Sequence, residues 1–134
     1  MLPDGVVAIV ARGSRVLVIR RAPGVPHPGY WAPLSGRVEP GESQAEAVVR
    51  EVREEVGLRV RAGRKVWECT THDGRFLLHW WTAILDGDSA EVTPDPREVS
   101  DFRWIEPAEF ARLEPVFEAD AEFFREIIPR LEID

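Results

Sequence analysis

One cysteine in 134 residues leaves no partner for a disulfide within the chain. Cys69 falls in a stretch that reads as a strand, where an inert core thiol accounts for it better than a nucleophile does. Long apolar runs are missing too: none nears the roughly 20 residues a helix needs to cross a bilayer. The opening Met1-Leu2-Pro3-Asp4-Gly5 lacks the basic n-region and long apolar h-region of a secretory signal. Positive charge is scarce, with 17 Lys and Arg against 24 Asp and Glu and a net charge of −7. That argues against a general nucleic-acid binder, which would carry a basic patch or stripe. No repeat, low-complexity tract or linker appears. These absences suit a cytoplasmic protein with no membrane and no nucleic-acid partner, and residues 1–134 read as one domain large enough for a real core.

What is there is a mixture of strand and helix signals. Residues 6–10 and 15–19 read as strands joined about Gly13-Ser14. Residues 20–28 are polar and rich in Pro and Gly, hence a loop. Residues 65–71 and 76–85 form a hairpin about Asp73-Gly74, and 86–100 are polar enough for a mobile loop. A short strand at 101–105, a short helix at 107–113 and a terminal helix at 118–130 complete the chain. Trp80 and Trp81 are neighbours in a strand, so their side chains face opposite ways. Core packing is the default for each of the five tryptophans.

Between these elements lies the most constrained segment. Ser43-Gln44-Ala45-Glu46 is a capping box, so a helix begins here. Ala45, Val48, Val49, Val52 and Val56 recur at helical spacing and predict an apolar stripe against a sheet. Gly57 is placed to end the helix as a C-cap. Glu51, Glu54 and Glu55 stand at i, i+3 and i+4, within roughly 100° of one another around the axis. Like charges this close destabilise a helix. Hard divalent cations such as Mg2+, which take oxygen ligands and hold phosphates, relieve that repulsion. An ordinary solvated acidic face is the competing account of the helix taken alone.

The longer pattern decides between them. Gly36, Glu42 and Arg50-Glu51-Val52-Arg53-Glu54-Glu55-Val56-Gly57-Leu58 follow the spacing Gly-x5-Glu-x7-Arg-Glu-U-x-Glu-Glu-x-Gly-U, where U is aliphatic. This resembles the Nudix box, with nine specified positions filled over 23 residues. The resemblance implies an α+β fold, an α/β/α sandwich with a mixed sheet and the box helix at its centre. It also implies an enzyme, a pyrophosphohydrolase using Mg2+ or Mn2+ on a nucleoside diphosphate linked to another group. Glu51, Glu54, Glu55 and the Gly36 carbonyl would hold metal. Glu54 or Glu98, the latter shortly before Trp104 as in MutT-like members, would orient or deprotonate the attacking water. Arg50, another candidate of the catalytic centre, would with Glu42 support the loop and the acids.

MutT-like members also carry an Arg-Arg pair where this chain has Arg20-Arg21, and often a basic residue at the position of Arg37. Arg21 and Arg37 are therefore the expected phosphate contacts, suited by the planar fork of donors on arginine. Asp120 is placed either to read the edge of a base or simply to favour a helix N-terminus. Trp31-Ala32-Pro33-Leu34-Ser35-Gly36 departs from the Leu-Pro-Gly-Gly of many members, which bears on the base pocket. Residues 70–74 lack the Pro and Tyr markers of ADP-ribose and dinucleoside polyphosphate enzymes. The expected substrate is thus a nucleoside triphosphate, with ADP-ribose or a nucleotide sugar as alternative. A nucleotide-sensing module without turnover is the rival class, and a homodimer is common in the family although no surface here marks one.

Overall fold

In the computed structural model, residues 1–87 and 90–131 are described. Seven strands form one sheet: β1 (Asp4–Arg12), β2 (Arg15–Arg21), β3 (Trp31–Ala32), β4 (Leu34–Arg37), β5 (Val60–Thr70), β6 (Leu77–Leu85) and β7 (Val99–Ile105). The main path runs β3-β2-β1-β6-β5, with β4 paired to β1 and β7 to β2. β1 and β6 are parallel and the remaining pairs antiparallel. The mixed α+β sandwich expected from the sequence is the fold observed.

β1 explains how two layers pack on this sheet. Its residues Val6 to Val10 are all buried. Val6, Ala8 and Val10 enter one core with helix α1 (Gln44–Val56), and Val7 and Ile9 enter another with the C-terminal turns. Alternating side chains on a strand covered on both faces produce that division. Trp80 is fully buried among Phe123 and Trp67, while Trp81 packs in the α1 core and donates its indole N–H to Gln44 Oε1 at 3.0 Å. The two rings do face opposite ways. Cys69 sits in β5, its Sγ accepting the Trp80 indole N–H at 3.3 Å, and burial pushes its thiol pKa up.

β1 and β2 pair only near their shared turn, at Ala11–Val16 and Arg12–Arg15, and then diverge. β4 takes the freed edge of β1 and β7 pairs with β2. The divergence sets Gly36, opposite Val6, on one branch and Arg21, opposite Val99, on the other.

Four details differ from the sequence reading. Arg20 and Arg21 belong to β2 rather than to the following loop, because β7 extends back to Val99 and supplies their partners. The apolar stripe of α1 buries Ala47, with Ala45 only partly covered. The segment 118–130 is not one regular helix: α2 (Glu118–Glu122) passes into a π-helical turn at Phe123–Ile127 and a 3-10 turn at Ile128–Arg130. The 86–100 loop is tied down in its second half, where Thr93 N–H bonds Val56 O at 2.8 Å and Asp95 N–H bonds Glu55 O at 2.9 Å. Those carbonyls end α1 and would otherwise lack partners. Residues 88 and 89 of that loop lie outside the described residues.

Candidate active site

The box helix begins as its residues dictate. Ser43 Oγ accepts the Glu46 N–H at 3.1 Å, and Glu46 Oε1 accepts the Ser43 N–H at 2.9 Å. Gly57 ends the helix in the left-handed conformation, φ 71°, with its N–H on Arg53 O at 3.0 Å.

Arg50 is the hub of the preceding loop. Its Nε and Nη2 grip both oxygens of Glu42, at 2.7 and 2.9 Å. Nη1 reaches Glu51 at 2.7 Å and Glu54 at 3.2 Å, and Nη2 also reaches Arg37 O at 2.8 Å. One planar guanidinium therefore joins the end of β4, the loop and the helix. The hydrogen bond from Arg50 holds the Glu42 carboxyl below the ordinary range. Glu42 in turn raises the guanidinium further above its usual value. Gly36 lies directly against the Glu51 carboxyl, in the space a Cβ would take. No other residue fits there without displacing that acid.

The three helix acids are not equivalent. Glu54 is exposed, Glu51 is half-buried and Glu55 is buried. Burial raises the Glu51 pKa against the opposing effect of Arg50. Glu55 is pushed up to about 9, first by burial, then by the charges of Glu51 and Glu98 and by a hydrogen bond with Glu98. Its Oε2 has no hydrogen-bond partner. Glu98 reaches this place because the loop is clipped to the end of α1 and then turned. Arg97 binds Asp95 through both its backbone and its guanidinium, and Ala22 N–H donates to Glu98 O at 2.9 Å.

Arg21 enters from the other branch of the sheet. Its Nε donates to Pro26 O at 2.6 Å, and its guanidinium stands over Phe117 at 5.9 Å. Burial lowers its pKa, while Glu55, Glu98 and Asp120 oppose that shift. Arg21 thus links the acids to Asp120 on α2, which is buried and pushed up to about 7 by desolvation against the pull of Arg21. Arg37 is exposed and lies over the Phe76 ring at 4.9 Å. An aromatic wall of His27, Tyr30 and Phe117, with centroids 4.7 to 5.3 Å apart, stands beside Arg21. The sequence reading did not single it out. His27 has a positive φ of 55°, and no periodic signal marks a loop residue of that kind.

The structure therefore brings Gly36, Arg50, Glu51 and Glu54 together on one side, and Glu55, Glu98, Arg21 and Asp120 on the other. Among the described residues no three His, Cys, Asp or Glu side chains converge as a ready metal-holding group; Arg50 draws Glu51 and Glu54 toward itself. The oxygen-rich donor set, the unpartnered buried oxygen of Glu55 and the close seat of Gly36 on Glu51 nonetheless fit a hard divalent cation.

Comparison with known proteins identifies the family. The NUDIX domain family matches residues 1–127, and the chain belongs to that family. It is 35% identical over 104 residues to the NAD-capped RNA hydrolase NudC of Stutzerimonas stutzeri, covering 78% of this chain and 36% of that protein. It is 38% identical over 81 residues to the CTP pyrophosphohydrolase of Escherichia coli, covering 57% and 58%. The chain spans little more than a third of the NudC relatives and under two thirds of the other. The MutT protein of Methanosarcina mazei shares the fold at a TM-score of 0.77 and 23% identity, covering 93% of this chain and 91% of that one. Members of this family generally use divalent metal ions. No helix among the described residues is long and apolar enough to cross a membrane.

Proposed function

We propose that this chain is a single-domain Nudix pyrophosphohydrolase that acts on nucleoside triphosphates with Mg2+ or Mn2+. The observation that carries the reading is the buried, half-partnered Glu55 carboxyl meeting Glu98 and Arg21 at the end of α1. A protein seldom buries an acid with an orphaned oxygen unless a ligand completes it.

In this reading Glu51, Glu54, Glu55 and the Gly36 carbonyl hold the metal. Bound there, it would neutralise phosphate charge and lower the pKa of a coordinated water. Arg21, the half-buried cation of the opposite branch, binds a phosphate of the substrate, and Arg37 leaves or shares its ring contact to do the same. Glu54 or Glu98 orients the water and takes its proton as oxygen attacks phosphorus and the bridging P–O bond breaks. Arg50 positions the acids and does not itself meet substrate. Asp120, beside Arg21 and Phe117, faces the base. Cytoplasmic nucleotides are the natural pool for such a site.

The CTP pyrophosphohydrolase relative supports the triphosphate reading. The longer matches to NudC, named for NAD-capped RNA, favour a second, in which ADP-ribose, a nucleotide sugar or a dinucleotide pyrophosphate is cut. A sensing module without turnover would be expected to have lost one of the box acids, and all are present. The deciding experiment is hydrolysis of normal and oxidised nucleoside triphosphates, ADP-ribose, NAD, nucleotide sugars and diadenosine polyphosphates, with Mg2+ and with Mn2+. Products are identified and the Glu55→Gln protein is run alongside. Triphosphate turnover lost in the variant is expected. Turnover of ADP-ribose, nucleotide sugars or dinucleotides without triphosphate turnover would install the second reading, and binding without turnover would install the sensor.

A further inference from the structure

β5 is an outer strand of the sheet, bonded to β6 on one side only. Two open grooves run along it, one on each face, and both are lined by Arg61 and Ala62. On the α1 face Ala45, Val49, Val60 and Ala62 supply small apolar surface, and two acids, Glu46 and Glu54, line the groove with two arginines of α1. On the opposite face the groove holds Arg12, Arg61 and Arg64 with the exposed Ile84, and no described residue lining it is acidic. Those three arginines make no ion pair among the described residues. The run Arg59-Val60-Arg61-Ala62-Gly63-Arg64-Lys65 carries four positive charges and no negative one, in a chain of net charge −7.

We propose that the Val60–Arg64 stretch of β5 is a docking edge for an acidic, extended peptide segment of a partner protein, which adds to the sheet as a further strand. A strand laid along this edge directs alternate side chains to opposite faces. Small apolar residues then enter the groove under α1, and Asp or Glu residues meet Arg12, Arg61 and Arg64. Main-chain hydrogen bonds supply attachment and the two grooves supply the choice of sequence. The irregularity between Ala62 and Lys65 limits the docked strand to a few residues. The overall negative charge does not prevent this, because charges beyond about 8 Å are largely screened at physiological salt. Single-stranded nucleic acid fits less well: neither groove is lined by an aromatic ring on which a base would stack.

The test is a selection from a displayed library of random eight-residue peptides, against the whole protein and against the Arg61→Glu/Arg64→Glu protein. Both substitutions are on exposed side chains, and circular dichroism checks the fold. Acidic peptides alternating with small apolar residues are expected to be enriched at least tenfold on the natural protein and not on the variant. The best of them should slow amide exchange at residues 60–64 and lose binding when its alternate backbone nitrogens are methylated. Absence of enrichment, enrichment unaffected by the two substitutions, or protection elsewhere on the chain would overturn the proposal. So would tight binding of an eight-nucleotide RNA at these arginines, or protection of residues 60–64 by self-association without peptide.

Discussion

The box treats its carboxylates in two opposite ways. At the loop side, Glu42, Glu51 and Glu54 all lean on one guanidinium, and Arg50 answers each of them. At the far end, Glu55 is deeper, has an orphaned oxygen, and faces Glu98, another acid. The first arrangement satisfies its own charges and shapes the loop. The second leaves a buried oxygen for something else to satisfy. Buried pairs are costly to break, while buried acids without partners are costly to keep; the box thus carries a paired clamp and an unpaired acid within two turns.

The largest effect that would separate them is on turnover. Glu55→Gln keeps the shape of a carboxyl that burial already favours in its neutral form, so the fold should persist. Initial rates at saturating Mg2+ should nevertheless fall by orders of magnitude, about 10²-fold or more for loss of such a group. A variant with full activity would erase the distinction between the two arrangements. Arg50→Met should do the reverse, acting mainly on stability. It leaves Glu42 and Glu51 without their cation, which in this half-buried setting costs about 2–3 kcal/mol, below the range for a fully buried pair. Urea denaturation measures it, and Arg50→Lys should recover part, since charge returns without the fork.

How much of this the residues announced depends on whether the cause is local. The capping box, the Gly57 C-cap and the helix between them are local, and they stand where spacing puts them. The presence of Glu98 near the acids was an expectation from family resemblance, but its mechanism is not local: the backbone of Thr93 and Asp95 caps α1 across the chain. Nor could periodicity tell Glu55 from Glu54, adjacent residues on one face. Their burial differs because the 93–98 loop and Arg21 cover one and not the other. Long-range pairing with β7 likewise drew Arg21 into β2, and the relation of Arg21 to the buried Asp120 lies across 99 residues (120 − 21).

That relation gives an effect confined to a pH window, visible as a slope of stability against pH. The folded-state pKa of Asp120, about 7, lies above its ordinary 3.8. The folded chain therefore holds a proton that the unfolded chain has released. The associated stability is fully present below pH 3.8 and is lost as pH rises through 7, on the order of 4 kcal/mol in all. Asp120→Asn should remove this slope, so unfolding free energies of the two proteins should diverge between pH 4 and 8, with the variant gaining relative stability at the higher pH. Parallel curves would mean that Arg21 fully compensates the buried charge.

The smallest expected effect probes whether the clamp depends on the helix start. Ser43→Ala removes the side-chain acceptor for Glu46 N–H and should cost about 1 kcal/mol. Glu42 is held by Arg50 one residue earlier, and its carboxyl also accepts the Glu39 N–H at 3.0 Å, so the loop has anchors of its own. Melting of Ser43→Ala, Arg50→Met and the double variant forms a cycle. Additive losses would show that cap and clamp are independent, as the separate hydrogen bonds imply. A double variant markedly more stable than the sum would mean that the loop is held through the first turn of the helix, and that the clamp begins at Ser43.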